Sequence, residues 1–377
     1  MAAQASPGVS VKPGPTVSID ALSRLCSDAF VSAGMSADDA AIGAHVLSMT
    51  DGWGVFTHGS KALRGYVRRL YAGGLNPHGS PRIAAEGGAW AVVDGDSSLG
   101  MVTSSFAMKT AIEKARSSGI GYVGVRNSCH FGAAGYYAWL AADAGFIGMS
   151  MANDIPSVAA PGSRGAITGS NPLAYAVPAG RYQPMLLDMS VATVAGGKVY
   201  AARERGESIP STWLIGPNGL PTDDATSYPE SATLSPAAGH KGYGIALLIE
   251  TLAGLLSGAA SRWGIRSWLG DDPSLPTGHG AAFLAIDCAT IAGEAAFIAR
   301  VEELIDEVHN APTADGADRI YVPGEIEWEK HAAALRDGIH LPSDVMASVT
   351  EAAQICGLEL DSYFFETSHS SETSHSS

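Results

Sequence analysis

The chain has 377 residues, 46% of them hydrophobic and 16% charged, which supplies cores for two or three domains and excludes global disorder. Its net charge is −15, and the basic residues form no cluster beyond Arg64, Arg68 and Arg69, so a nucleic-acid binder is disfavoured. The 45 glycines are aperiodic, which excludes collagen-like and simple repeat architectures.

Residues 1–16 are rich in Pro, Ser and Gly, lack an apolar stretch and read as a flexible arm without a secretory signal. Ser18 or Asp20 is placed to cap a helix to about Ala33, and Ser36-Ala37-Asp38-Asp39 to cap a second through about Thr50. A third runs from near Ser60 to Gly73-Gly74, with Leu63, Val67 and Leu70 at helical spacing; Arg64, Arg68 and Arg69 then form its solvated face. From Ala89 the pattern alternates. Strands are expected at Ala89–Asp94, Gly121–Val125, Ile147–Met151, Met185–Met189, Trp213–Ile215 and Ala282–Ile286. Helices are expected at Thr103–Ser117, Gly135–Ala144, Thr193–Arg205 and Glu294–Val308, and again near 325–337 and 342–356. The most apolar stretch, 242–260, contains Glu250 and reads as a buried helix, not a membrane span. A mixed α/β (α+β) fold follows: a helical domain at 17–80 joined by C-terminal helices at 325–360, a sheet domain at 81–324, and a disordered tail at 361–377. Residues 366–377 of that tail are the hexamer Glu-Thr-Ser-His-Ser-Ser written twice.

Cys26, Cys129, Cys288 and Cys356 lie far apart without a CxxC, which argues against structural zinc and suits a reducing cytoplasm. Gly119-Ile120-Gly121-Tyr122-Val123-Gly124 matches GxGxxG, but a helix precedes it and a strand follows. A dinucleotide-binding loop has the reverse order, so these glycines are read as the end of a helix and the start of a strand.

Several short segments carry chemistry-bearing side chains. His58, in Thr57-His58-Gly59, lies just ahead of the third helix and near Lys61. A positive helix end and an ammonium both lower an imidazole pKa, which suits proton transfer; a capping or packing role is the alternative. His130-Phe131-Gly132-Ala133-Ala134-Gly135 precedes a helix whose free amides would cradle an anion, unless the small residues serve packing alone. Ser170-Asn171-Pro172 sets a hydroxyl and an amide on a turn. Asp188-Met189-Ser190 puts a carboxylate at a strand end, with Lys198 on the next helix. His240-Lys241-Gly242 opens the long apolar helix with two polar heads.

The order of these blocks, closing with Pro323-Gly324-Glu325, resembles the malate/L-lactate dehydrogenase family of non-Rossmann NAD(P)-dependent oxidoreductases. That family also takes in L-sulfolactate and ureidoglycolate dehydrogenases and Δ1-piperideine-2-carboxylate reductases. The resemblance spans roughly residues 18–360. It implies a helical domain beside a cofactor- and substrate-binding domain with a largely antiparallel sheet, NAD or NADP as cofactor, no metal, and a homodimer. It further implies His58 as the proton-donating residue with Thr57 assisting, and His130 as a second active-site histidine. Cofactor contacts are implied at His130, Phe131, Gly132, Ala133, Ala134, Asp188, Met189, Ser190, His240, Lys241, Arg319, Gly324 and Glu325, and a substrate contact at Ser170. Two departures stand out. Many members carry an arginine four residues after the histidine; Ala62 occupies that place, leaving Lys61 and Arg64 as the nearest cations for a substrate carboxylate. Lys198 replaces an aspartate paired with the histidine in some imine reductases. For a ribose 2′-phosphate, Arg126, Arg203 and Arg319 are the candidates.

The expected reaction is hydride transfer between a nicotinamide and C2 of a small 2-hydroxy or 2-oxo acid of malate, lactate or sulfolactate type, with His58 moving the proton. The alternatives are reduction of cyclic 2-imino acids and a cofactor-binding member with altered or lost activity. A metal-dependent hydrolase built on His58, His130 and His240 lacks any HExxH or CxxC.

Overall fold

The computed structural model describes residues 15–364. Most of the arm expected over 1–16, and the duplicated hexamer at 366–377, lie outside them. The chain opens with a strand, β1 (Thr16–Val17), then α1 (Ile19–Ser32), α2 (Ala37–Gly52) and α3 (Leu63–Ala72). A hairpin, β2 (Arg82–Glu86) and β3 (Trp90–Asp94), leads through α4 (Gly100–Ser118), β4 (Ile120–Ser128) and α5 (Ala134–Asp143) to β5 (Phe146–Ala152). Next come β6 (Val158–Ala159), β7 (Ala166–Thr168), β8 (Leu173–Val177), β9 (Met185–Met189) and α6 (Gly196–Arg205). The short strands β10 (Leu214–Ile215), β11 (Pro221–Thr222) and β12 (Thr233–Leu234) precede α7 (His240–Ile249), β13 (His279–Asp287), α8 (Cys288–Ala292) and α9 (Glu294–His309). α10 (Glu325–Asp337), β14 (Ile339–His340), α11 (Ser343–Cys356) and α12 (Asp361–Phe364) close the described chain.

The helix starts follow their capping residues. Ser18 Oγ accepts from Ala21 N at 3.1 Å and Ser36 Oγ from Asp39 N at 3.2 Å, each satisfying an amide that the first turn leaves open. Gly73 ends α3 in the left-handed region (φ 91°), as an αL cap requires. Two expectations at the chain ends are corrected. Thr16 is not part of a free arm, because β1 pairs with β14. Residues 361–364 are helical where disorder was expected from 361, and Tyr363 Oη donates to Asp28 Oδ2 at 2.6 Å.

The main sheet has seven strands in the order β2-β3-β4-β13-β5-β8-β9, and only the β3–β4 pair is parallel. β13 is central: Phe283 faces Val123 on one side and Ser150 on the other. α4 and α5 cover one face of this sheet; α7 and the π-helical turn Glu250–Leu255 cover the other. One core runs from the helical layer into the sheet and joins Phe30, Leu47 and Val67 to Val93, Val123 and Phe283. A smaller five-stranded sheet, β11-β10-β12-β6-β7, packs with α6 around its own core of Val158, Val199, Leu214 and Leu234. This satellite unit has no periodic sequence signal, because four of its strands are two residues long.

Of three further sequence expectations, one holds and two are revised. Gly119 caps α4 (φ 79°), and a Cβ on Gly121 would overlap Ala111 O, so the GxGxxG glycines serve the α4–β4 junction as expected. Arg69 is not on a solvated face. It is 1% exposed and donates to the carbonyls of Ser267, Trp268, Asp271 and Leu275. The stretch 242–260 is not buried all round, since Leu248, Leu255 and Leu256 are more than half exposed.

Candidate active site

The register puts one set of strand ends together. Ser128 of β4 faces His279 of β13, Ala152 of β5 faces Ala281, and Leu173 of β8 faces both Met151 and Met189. The ends of β4, β5 and β9 and the beginnings of β8 and β13 therefore share one rim. That rim carries Asp188 and His279 at strand ends and His130, Asp154 and Ser170 in its loops, and the turn after α2 brings His58 against them.

After α2 the chain makes two 3-10 turns, Phe56–His58 and Ser60–Ala62, before α3 begins at Leu63. His58 thus ends its own short turn and does not stand at the mouth of the third helix. The expected cause of its lowered pKa changes accordingly. Lys61 turns to Asp344 of α11 (2.5 Å), and burial is what lowers the imidazole, with Asp188 and Asp154 pulling the other way. His58 as a residue is half-buried, and Thr57 Oγ1 lies 3.0 Å from Nδ1.

His58 stacks on His130 with centroids 5.6 Å apart, and His130 stacks on Trp268 at 4.1 Å and 9°. Trp268 stacks in turn on Tyr66 at 5.1 Å. Tyr66 Oη lies 2.6 Å from His130 Nδ1, and burial pushes the phenol well above its ordinary value, so it stays protonated and donates. The Gly132 amide also points at Nδ1 (3.5 Å). Two donors aimed at Nδ1 make it the acceptor and leave the proton on Nε2. Burial, with His58 and His279 adding to it, holds His130 well below the ordinary histidine value, so it is a neutral donor. Cys129 beside it is kept a thiol, since burial raises it.

Asp188 Oδ2 accepts the Gly135 amide in the first turn of α5 at 2.7 Å. Its edge is exposed, yet the protein packed around the carboxyl raises it above the usual carboxylate range; the Gly135 amide and His58 oppose this rise and Glu327 adds to it. Asp154 Oδ1 accepts from Ile155 N at 2.8 Å and lies 3.3 Å from His279 Nε2; its Oδ2 lies 3.5 Å from Ser170 Oγ. Thr277 Oγ1 donates to Ser128 O, so it takes the proton of His279 Nδ1 at 2.9 Å. Asn171, fully buried at φ 31°, accepts the Asp154 amide and donates to Ala246 O and Glu250.

The other expected residues divide. Gly132 (φ 79°), Ala133 and Ala134 form a small-residue cradle at the start of α5, beside buried Phe131. A Cβ on Gly135 would come 3.1 Å from Asp188 Oδ2. The lack of bulky side chains over 132–135, beside the stacked rings, fits a flat nicotinamide ring, while the Gly132 and Gly135 amides are engaged within the chain. Ser190 Oγ donates to Ser170 O at 3.1 Å and ties the β9 end, with Met189, to that turn. His240 and Lys241 are exposed at the start of α7. Gly324 caps α10 (φ 96°) close against Leu186, and Glu325 is engaged internally by His309 and the Val322 amide. Arg64 pairs with Glu351, as Lys61 does with Asp344, so neither cation faces the histidines; Lys198 is exposed on α6. Arg126, Arg203 and Arg319 each have a carboxylate partner: Asp94, Glu230 and Glu329. Among the described residues, no group of three or more His, Cys, Asp or Glu side chains is disposed to hold a metal ion.

Tyr66, Trp268, Asp154 and His279 were not singled out from sequence. Asp154 follows the apolar strand β5, the same strand-end signal that drew attention to Asp188. Tyr66 and Trp268 reach His130 only through the fold.

The description malate/L-lactate dehydrogenase belongs to a family model that matches residues 17–350. A malate dehydrogenase of Pyrococcus abyssi is 37% identical over 333 residues, covering 86% of this chain and 91% of that protein. A ureidoglycolate dehydrogenase (NAD(+)) of Escherichia coli K12 is 32% identical, covering 87% and 93%. The solved structure of a sulfolactate dehydrogenase from Methanocaldococcus jannaschii superposes with a TM-score of 0.86 at 33% identity, covering 92% of this chain and 99% of that one.

Proposed function

The chain belongs to the malate/L-lactate dehydrogenase family, and we propose that it works as an NAD-dependent oxidoreductase on C2 of a small 2-hydroxy or 2-oxo acid, with His58 as the proton donor and acceptor. The observation that carries this reading is the stacked pair of His58 and His130, with the Asp188 and Asp154 carboxylates acting on His58. When bound, the nicotinamide supplies or accepts the hydride at C2. His130, a neutral donor through Nε2, orients the C2 oxygen. His58 gives that oxygen a proton in reduction and removes it in oxidation, with Thr57 holding Nδ1. Ser170, backed by Asp154, is assigned to the substrate.

The cradle of Phe131, Gly132, Ala133 and Ala134 is assigned to the nucleotide with Asp188, Met189 and Ser190, and the exposed His240 and Lys241 to its phosphates. The assignment of Arg319, Gly324 and Glu325 to the nucleotide rests on the family resemblance; Arg319 and Glu325 also have partners within the chain. The pairing of Arg126, Arg203 and Arg319 with carboxylates favours NAD over NADP, as does the name of the E. coli relative. Residues 81–324 are assigned the nucleotide and substrate, with the helices of 17–80 and 325–360 bringing His58. Four free cysteines, three of them buried, support a cytoplasmic setting.

A second reading, reduction of a cyclic 2-imino acid, is favoured by the charge of the site. Lys61 and Arg64 are engaged by α11, while the charges acting on His58 are carboxylates, which suit a protonated imine. The test is loss of nicotinamide absorbance on mixing the purified protein with NADH and a panel of 2-oxo acids and cyclic imines. Turnover with the wild type and loss of at least a hundredfold in His58→Ala is the expected result; no turnover with any of them would remove both readings.

A further inference from the structure

The fold explains why glycine follows His58, and the explanation points to a residue outside the site. Gly59 has a negative φ, so its backbone does not demand glycine. What demands it is space: a Cβ there would overlap Asp51 Oδ1. Asp51 lies in the last turn of α2 and is 1% exposed. Its Oδ2 accepts the Ser60 amide at 2.8 Å, and Ser60 is itself fully buried. Asp51 Oδ1 and Ser60 Oγ are both buried without a hydrogen-bond partner among the described residues. An ionisable group placed in this way is costly and needs a reason, because a buried carboxyl with an unsatisfied oxygen works against folding.

We infer that Asp51 is a positioning residue for the reaction, a buried carboxyl that fixes the Gly59–Ser60 corner from behind and so sets where His58 stands against His130. The carboxyl holds the amide of the residue two places beyond His58 and fills the space where a side chain at position 59 would go. On its far side the corner touches the second motif: a Cβ on Gly132 would lie 3.6 Å from His58 O. A change in the Asp51–Ser60 contact therefore moves the imidazole relative to the His130 loop. Displacements below an ångström matter to a proton donor that must meet a reacting oxygen. The thiol of Cys26 on α1 is the titratable group that senses Asp51 from the neighbouring helix, and burial keeps it protonated.

This inference rests on His58 as the proton donor, so the two are tested separately. His58→Ala tests that assignment alone. Asp51→Ala removes the support, whereas Asp51→Asn keeps an oxygen for the Ser60 amide and adds an N–H for the orphaned Ser60 Oγ. In Asp51→Ala, kcat should fall at least tenfold with the dissociation constant for NADH within twofold of wild type, and the imidazole NMR signals of His58 should shift. Asp51→Asn should recover kcat to within threefold. Gly59→Ala, which forces the corner and the carboxyl apart, should lose kcat to a similar extent and serves if Asp51→Ala does not fold. A folded Asp51→Ala or Gly59→Ala with kcat within twofold of wild type and unmoved His58 signals overturns the inference, even where His58→Ala is inactive. Failure of Asp51→Asn to recover activity while His58 keeps its wild-type signals overturns it as well.

Discussion

As the proposed proton donor and acceptor, His58 has to be protonated to give a proton and neutral to take one, and burial holds its imidazole below the ordinary histidine value. The sign of the pH dependence follows. At neutral pH the ring is mostly neutral, ready for oxidation; that direction should be lost as pH falls through the lowered value. Reduction needs the protonated ring, so its kcat/KM should decline above that value by roughly tenfold per pH unit. Initial rates in both directions across pH 4–9 check this, and an oxidation rate that rises as the medium is acidified would contradict it. Sequence proximity had singled out Lys61 and a helix end as the cause of the shift. Both are displaced by the fold, because Lys61 pairs with α11 and two 3-10 turns separate His58 from α3. The direction of the shift was legible from the residues; its cause was not.

At the scale of elements, α3 supports the site through Arg69. Its guanidinium binds four carbonyls of the 267–275 loop, and that loop carries the Trp268 ring stacked on His130. Arg69→Met should cost about 3 kcal/mol, since it leaves those carbonyls without their charged donor, and it should also weaken turnover by freeing Trp268. Chemical denaturation and kcat measured together check this; a stable variant with wild-type kcat would mean that the loop holds itself. The α4–β4 junction makes a contrasting case. Gly121→Ala should destabilise by roughly 1–3 kcal/mol through overpacking against Ala111 O, with nucleotide affinity unchanged. A selective loss of nucleotide binding would revive the GxGxxG reading. Helices α1 and α2 were legible because Ser18 and Ser36 mark their starts, and α4 because Gly119 marks its end. The hairpin strand β2 was not, because all five of its residues are exposed and show no alternation. Arg69 was misread for a related reason: spacing reports a helix face but not what packs against it.

For the whole molecule, the order of the short motifs carried most of the functional information, because the strand register gathers the blocks at 130, 170 and 188 on one rim. What sequence left open is the outer surface of α7 and the π-helical turn. Leu247, Leu248, Leu255 and Leu256 are exposed there, at 41%, 56%, 63% and 57%. Each fully buried leucine contributes about 2 kcal/mol, so a second copy of this chain covering the face would gain substantially, in line with the homodimer that the family resemblance implies. Leu248→Glu combined with Leu255→Glu should yield a monomer in sedimentation velocity, and a wild-type protein that is already monomeric would contradict the dimer. In the proposed reaction C2 of the substrate receives a hydride while His58 supplies the proton. The most direct measurement follows deuterium from NADH labelled at C4 of the nicotinamide into the product of a single turnover. Label at C2 in the wild type, with the rate of its transfer reduced at least a hundredfold in His58→Ala, is the expected result. No label at C2 with any 2-oxo acid or cyclic imine, or an undiminished rate in His58→Ala, would rule that reaction out.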